Sequence, residues 1–249
     1  MKIVVCIKRV PDTESRIKIS ADGTSIDPAG IKFIISPYDE FAMEAALRLK
    51  ESQGEGEVIA ITVGDAASAE QLRSALAMGA DRAVLLKGQV TLDGSATAKA
   101  LAAEIKNIAP DLVLCGMKAA DDDQQQVGAM LAEYLDVACV SVVNEFELRD
   151  GKAVCHREID GGVEIVDVAL PALVTVTKGK QEPRYPSLKG IMAAKKKPLE
   201  EKEAQMPASR VKVRALSYPP ERPAGKIVGQ GADAVPELVR LLREEAKVL

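Results

Sequence analysis

The apolar run Leu112 to Cys115 opens into Gly116-Met117-Lys118-Ala119-Ala120-Asp121-Asp122-Asp123-Gln124-Gln125-Gln126-Val127-Gly128, beyond which the pattern turns helical. A loop between a strand end and a helix start is where open α/β sheets receive ligands, because helix N-termini present free N–H groups and a glycine lets the backbone approach an anion. That chemistry suits a phosphate, with polar side chains left to meet a ribose or base. The same acidic and amide residues suit an N-capping cluster matched to the helix dipole. Both readings stand at this point.

Other chemistries lack their residues. Lys8-Arg9-Val10-Pro11-Asp12 follows the first strand where a Rossmann site would carry G-x-G-x-x-G, and no G-x-x-x-x-G-K-[ST] occurs. His156 is the only histidine; beside Arg157 and Glu158 in a strand-like segment it reads as structural, so neither a Ser-His-Asp constellation nor a metal site can be assembled. Cys6, Cys115, Cys139 and Cys155 show no C-x-x-C spacing and are expected to be reduced and buried. Chemistry carried by a bound cofactor stays open, since such a group brings its own reactivity.

A second unusual stretch is Pro183-Arg184-Tyr185-Pro186-Ser187-Leu188-Lys189-Gly190-Ile191-Met192-Ala193-Ala194-Lys195-Lys196-Lys197-Pro198. Prolines keep it extended, Gly190 is expected to break any helix, and Leu188, Ile191 and Met192 fall where turn chemistry places solvent. Displaying a leucine forgoes roughly 1.5–3 kcal/mol of burial unless a partner covers it. The segment is either an irregular loop folded on its own domain or a docking surface.

The elements that must position these residues follow from periodicity. Apolar runs at 3–7, 58–63, 83–86 and 112–115 alternate with helical patterns, as in a parallel α/β sheet. Ser36-Pro37-Tyr38-Asp39 provides an N-cap, a proline at the first helical position and a carboxylate at the third, opening a helix to about Ser52. Further helices are expected at about 66–78, ended by Gly79, and at about 95–108, ended by Pro110. Asp22-Gly23 marks an antiparallel excursion, and Asp150-Gly151 with Asp160-Gly161-Gly162 marks a hairpin meander between about 143 and 177 that begins another layer. After Pro183 periodicity fades, Pro recurs at 198, 207, 219, 220 and 223, and a last helix is expected at about 233–248.

The 249 residues suffice for one core with an appendage, and 3% aromatics with no Trp makes that core aliphatic. A net charge of −4 argues against a nucleic-acid binder, although Lys195 to Lys197 form a local positive patch. The N-terminus lacks a signal-peptide pattern and no apolar run approaches the roughly 20 residues of a membrane span, so a cytoplasmic protein without membrane insertion is expected.

Five segments together resemble the β subunit of electron-transfer flavoproteins: Val4-Val5-Cys6-Ile7-Lys8-Arg9-Val10, Ala75-Leu76-Ala77-Met78-Gly79-Ala80-Asp81-Arg82, the Asp121-Asp122-Asp123 loop, Arg157-Glu158-Ile159-Asp160-Gly161-Gly162, and Pro183-Arg184-Tyr185 with Ile191-Met192-Ala193-Ala194-Lys195-Lys196-Lys197. The resemblance implies an adenine nucleotide α-hydrolase-like α/β core with a parallel sheet, an antiparallel β layer and an extended C-terminal arm. It implies no catalytic residue of the chain's own. It implies pairing with an α subunit that holds most of a redox-active FAD, electrons arriving from flavin dehydrogenases such as acyl-CoA dehydrogenases, and delivery to a quinone oxidoreductase. It implies a structural AMP held by Cys6, Ser36, Pro37, Tyr38, Asp39, Val63 and residues 116–127, with Asp121 to Asp123 and Gln124 to Gln126 capping the phosphate-receiving helix and the carboxylates turned toward ribose or solvent. Leu188 matches the family's partner anchor, with Ile191 and Met192 beside it and Lys195, Lys196 and Lys197 as flanking charge; Glu158 matches an ionic contact to the α subunit.

One branch of the family holds a second FAD in the AMP pocket and bifurcates electrons from NADH. Asp122 stands where that branch has Gly, while Asp93-Gly94-Ser95-Ala96-Thr97 keeps part of its other motif, and AMP is the favoured expectation. A stand-alone nucleotide-binding sensor is the alternative from another class. The expected division is a core over 1–182, a recognition loop over 183–200 and an arm over 201–249 that packs on the α subunit.

Overall fold

Strands buried on both faces make the centre of the molecule, and their alternate residues feed two separate helical layers. The structure, a computed structural model, describes residues 1–88, 93–204, 207–221 and 224–249; Pro223, among the prolines noted above, lies outside them. The parallel strands are β1 (Lys2–Cys6), β4 (Glu57–Gly64), β5 (Arg82–Lys87) and β6 (Leu112–Gly116), linked by helices α1 (Pro37–Gln53), α2 (Ala69–Met78) and α3 (Gly94–Ile108). Ile3 and Val5 join α1 and α2 in one core cluster, whereas Val4 and Cys6 join α3 and α4 (Val127–Leu135) in the other. This two-residue alternation, with both sets apolar, is why the strands read as continuous hydrophobic runs.

A short antiparallel pair, β2 (Arg9–Pro11) with β3 (Phe33–Ile35), and an isolated antiparallel bridge from Ile19 to Ile26 fill the excursion between β1 and α1. After α4 come β7 (Ala138–Arg149), β8 (Lys152–Ile159) and β9 (Gly162–Ala169), an antiparallel meander, and then β10 (Ala172–Val176). The meander continues the main sheet: β10 inserts between β6 and β7, parallel to both. The nine strands run β11-β5-β4-β1-β6-β10-β7-β8-β9, with β11 (Leu199–Glu203) parallel to β5 at the far edge.

Two compact units divide the chain, Met1–Arg214 and Ala215–Leu249. Strand β11 therefore straddles the boundary expected at 200/201, and its Glu200, Glu201, Lys202 and Glu203 are the charged side chains that keep an exposed sheet edge from pairing with another. The second unit contains α6 (Val235–Glu244), on which Arg240 pairs with Glu237 and Glu244. Among the described residues no helix is long and apolar enough to cross a membrane.

The meander extends the main sheet rather than beginning another layer, and three expectations about the cysteines and the 183–198 stretch are corrected as well. Gly190 does not break a helix: it lies inside α5 (Leu188–Ala194), which packs on α2, and a Cβ there would sit 2.5 Å from the Ala77 carbonyl oxygen. A side chain at that point would push the two helices apart, so the glycine serves close approach rather than a turn. Cys139 is exposed, because it lies at the start of β7 where burial has not begun, while Cys6, Cys115 and Cys155 are buried; all four are free. Lys197 folds inward, for reasons given below.

Arg184 anchors the stretch before α5. Its guanidinium holds Glu44 of α1 at 2.8 and 3.1 Å and Glu51 at 2.5 and 3.0 Å, and its N–H also donates to Glu44. Burial opposes the charge on Glu44, but the Arg184 hydrogen bonds prevail and hold its carboxyl below the ordinary range. Removing one partner of a buried pair strands the other. Arg184→Ala, which leaves the buried Glu44 carboxylate without its bidentate partner, is expected to destabilise the fold by roughly 3 kcal/mol, read as a lower urea midpoint at unchanged slope; a midpoint like the parent's would show that Arg184 is not held there.

Candidate functional site

The chain runs outward from β1 through β4 to β5, then returns to lay β6 on the other side of β1. The connections leaving β1 and β6 diverge at their carboxyl ends, and such a switch point leaves a crevice. Lys8 leaves β1 there and Gly116 ends β6 there.

The first turn of α1 ties the two loops together. The N–H of Lys8 donates to Asp39 Oδ2 at 2.8 Å, and the N–H of Gly116 donates to Asp39 Oδ1 at 2.9 Å. Ser36 occupies the N-cap position without capping its own helix; its Oγ accepts instead from the Ala120 N–H at 3.3 Å. A Cβ on Gly116 would lie 2.4 Å from Asp39 Oδ1, so only glycine permits this approach. Asp39 is buried, and burial pushes its carboxyl up to about 7 against the lowering effect of the two N–H groups.

The acidic triplet does not cap α4. Asp121 and Asp122 turn back onto the Lys8 ammonium at 2.8 and 2.9 Å, and Asp123 pairs with Lys118 at 2.8 Å. Burial opposes the Lys8 charge, yet its two carboxylates raise its pKa. Asp123 and Gln125 take left-handed backbone angles, φ 52° and 56°, which reverse the chain before the helix. Gln126 stands at the N-cap with no side-chain cap, leaving the first N–H groups of α4 to another acceptor. In α3, by contrast, Asp93 fills that role, accepting from Ala96 at 2.8 Å. Gly94 of α3 faces the Gln126 side chain, so the two helix starts are neighbours.

Cys6 and Cys115 are register partners at the ends of β1 and β6. Hydrogen bonding to Cys6, burial and nearby negative charge hold the Cys115 thiol well above its ordinary range, so Cys115 is packing rather than a nucleophile. Val63, near the end of β4, packs against the α3–α4 side; Met117 donates its N–H to Val176 at 2.8 Å, and the Ala119 carbonyl accepts from Asp123 at 3.0 Å. Tyr38 and Pro37 lie in the first turn of α1, with Lys118 5.9 Å from the Tyr38 ring centroid. The expected pocket residues thus converge on one sheet edge. Lys8 was missed as a site residue; its position directly after the first strand was the available signal.

The residues expected to dock a partner fall elsewhere. Leu188 is 83% exposed, Met192 and Ile191 are exposed on α5, and Lys195 and Lys196 face solvent. Lys197 does not: its ammonium donates to the carbonyls of Leu76 (3.1 Å) and Ala80 (2.6 Å) at the end of α2. Helices in such a sheet run opposite to its strands, so the end of α2 lies at the amino edge, away from the Asp39 crevice. Glu158 sits on β8, on the other flank of the sheet, accepting from Asn144 at 2.9 Å.

Residues 24–207 match the family model described as electron transfer flavoprotein domain. The chain is 42% identical over 249 residues to the electron transfer flavoprotein subunit beta of Syntrophomonas wolfei, covering all of this chain and 98% of that one. It is 41% identical over 260 residues to the protein of the same name from Bacillus subtilis, with both chains covered completely. A protein named caffeyl-CoA reductase-Etf complex subunit CarD, from Acetobacterium woodii, is 41% identical over 202 residues, covering 80% of this chain and 77% of its own.

The raised pKa of Asp39 has a consequence for stability whose sign can be measured. A carboxyl whose pKa is about 7 when folded and 3.8 when free binds its proton more tightly in the native state. Its stabilising contribution is full below about pH 4 and is lost as pH rises through 7. Asp39→Asn is expected to flatten the fall in stability between pH 5 and pH 8 by on the order of 2–3 kcal/mol, read from urea midpoints at each pH. Parallel curves for variant and parent would contradict that ionisation.

Proposed function

The chain belongs to the electron transfer flavoprotein family, as a β subunit, and from that premise we propose that its carboxyl-edge crevice holds AMP while its surface completes an FAD site on the α subunit. Members of this kind act in electron transfer, pair with an α subunit and bind flavin or nucleotide. The observation that carries the finer reading is the uncapped start of α4 at the end of the Lys8-bound acidic loop.

The residues present fit a mononucleotide. First-turn N–H groups of α4 have no side-chain acceptor and suit a phosphate. Lys8 and Lys118 offset the acidic triplet, so an incoming anion does not meet three uncompensated carboxylates. Asp39 and Ser36 hold the loop in place from behind. FAD, where the α subunit holds it, supplies the redox chemistry. The chain's own part is to bind, to orient and to exclude water; no nucleophile or acid–base pair needs to be sought in it.

Electrons arrive, in this reading, from flavin dehydrogenases such as acyl-CoA dehydrogenases and leave to a quinone oxidoreductase, with Leu188 as the anchor for the donor. The exposed leucine at the head of a short helix, with Met192 and Lys195 beside it, supports this. Glu158 is read as a contact to the α subunit. The arm after the sheet, ending in α6 with Val235 and Leu238 exposed, is read as packing on that subunit too.

Nucleotides extracted from the heterodimer test this directly. One FAD and one AMP are expected per complex, with flavin reduction when an acyl-CoA dehydrogenase and its substrate are added. Gly116→Val, whose side chain must displace Asp39, is expected to lower AMP content at least about tenfold while FAD remains. Two FAD per complex would contradict the AMP assignment, and a flavin-free heterodimer would contradict the whole reading.

A further inference from the structure

A helix of seven residues cannot hold its own shape in water, yet α5 carries three exposed apolar side chains, Leu188, Ile191 and Met192. Ser187 caps its start by accepting from the Gly190 N–H at 3.0 Å. Its other end is held by α2: Arg73 donates to the Ala194 carbonyl at 2.7 Å and the Lys197 carbonyl at 2.9 Å. Lys197, just past α5, returns the contact by donating to Leu76 and Ala80 at the end of α2. Each helix thus receives on its terminal carbonyls a cation supplied by the other's segment, where both the orphan acceptors and the helix dipole favour positive charge.

The third contact is steric. Gly190 meets the Ala77 carbonyl so closely that a Cβ would lie 2.5 Å from it. Two cations and one glycine therefore set the distance and angle at which α5 stands on α2. We propose that Arg73 and Lys197 are positioning residues for donor docking, acting through α5 to present Leu188 in its binding pose. The proposal rests on the reading of Leu188 as the donor anchor. A partner then meets an anchor that needs no ordering on contact, which lowers the cost of association. Lys197 thereby leaves the flanking charge to Lys195 and Lys196.

The test uses the α/β heterodimer with a reduced acyl-CoA dehydrogenase as donor. Lys197→Met and Gly190→Ala are each expected to raise the KM for the donor about tenfold. The turnover at saturation, the flavin spectrum and reduction by dithionite should stay within about twofold of the parent. Arg73→Lys, which keeps a cation, should lie nearer the parent than Arg73→Met. Adding Lys197→Met to Leu188→Ala should raise KM no further than Leu188→Ala alone, since both act through one contact.

If Leu188→Ala raises KM while Lys197→Met and Gly190→Ala leave it unchanged, the positioning role is overturned and the docking reading survives. If Leu188→Ala leaves KM unchanged, the docking reading falls and this inference with it. Should Lys197→Met not accumulate as a folded complex, Gly190→Ala decides: an unchanged KM overturns the proposal.

Discussion

A single buried carboxylate, Asp39, accepts one backbone N–H from each of the two loops that flank the switch point, Lys8 on one side and Gly116 on the other. Backbone donors that would otherwise be unpaired beneath the crevice are satisfied by this group, and an unsatisfied buried donor costs about 1–3 kcal/mol. The geometry has little slack, because the Cα of Gly116 stands where a larger residue would strike Asp39. Around that joint lie the loop's course past Ser36, the reach of Lys8 to Asp121 and Asp122, and the uncapped start of α4.

The two ends of the parallel sheet have been given different work. At the carboxyl edge, helix starts and a folded-back acidic loop come together. Toward the amino edge, the end of α2 supports α5 through carbonyl-to-cation contacts and a glycine. The supports of the carboxyl-edge loop and those of α5 share no residue.

Much of this was legible in the sequence, where local rules applied. The alternation of apolar runs and helices, the helix opened by Ser36-Pro37, and the stop at Gly79 are all found, because each depends on residues a few positions apart. Contacts across long separations were not legible. Asp39 reads as the carboxylate at the third position of its helix, but its partners are 31 and 77 positions away. Gly190 reads as a breaker because propensity knows nothing of Ala77, and Lys197 reads as one charge in a run because the carbonyls it binds belong to another helix. The acidic triplet misled in the same way: its cations, Lys8 and Lys118, come from the end of a distant strand and from the loop itself.

Amide hydrogen exchange on the heterodimer, stripped of AMP and then reloaded, tests the central claim most directly. Reloading should slow exchange at the loop and first turn of α4, residues 116–130, and leave α5 and the segment to Lys197 unchanged. Equal exchange at 116–130 in both forms, or protection that appears at α5 instead, would contradict the assignment of the carboxyl-edge crevice to the nucleotide.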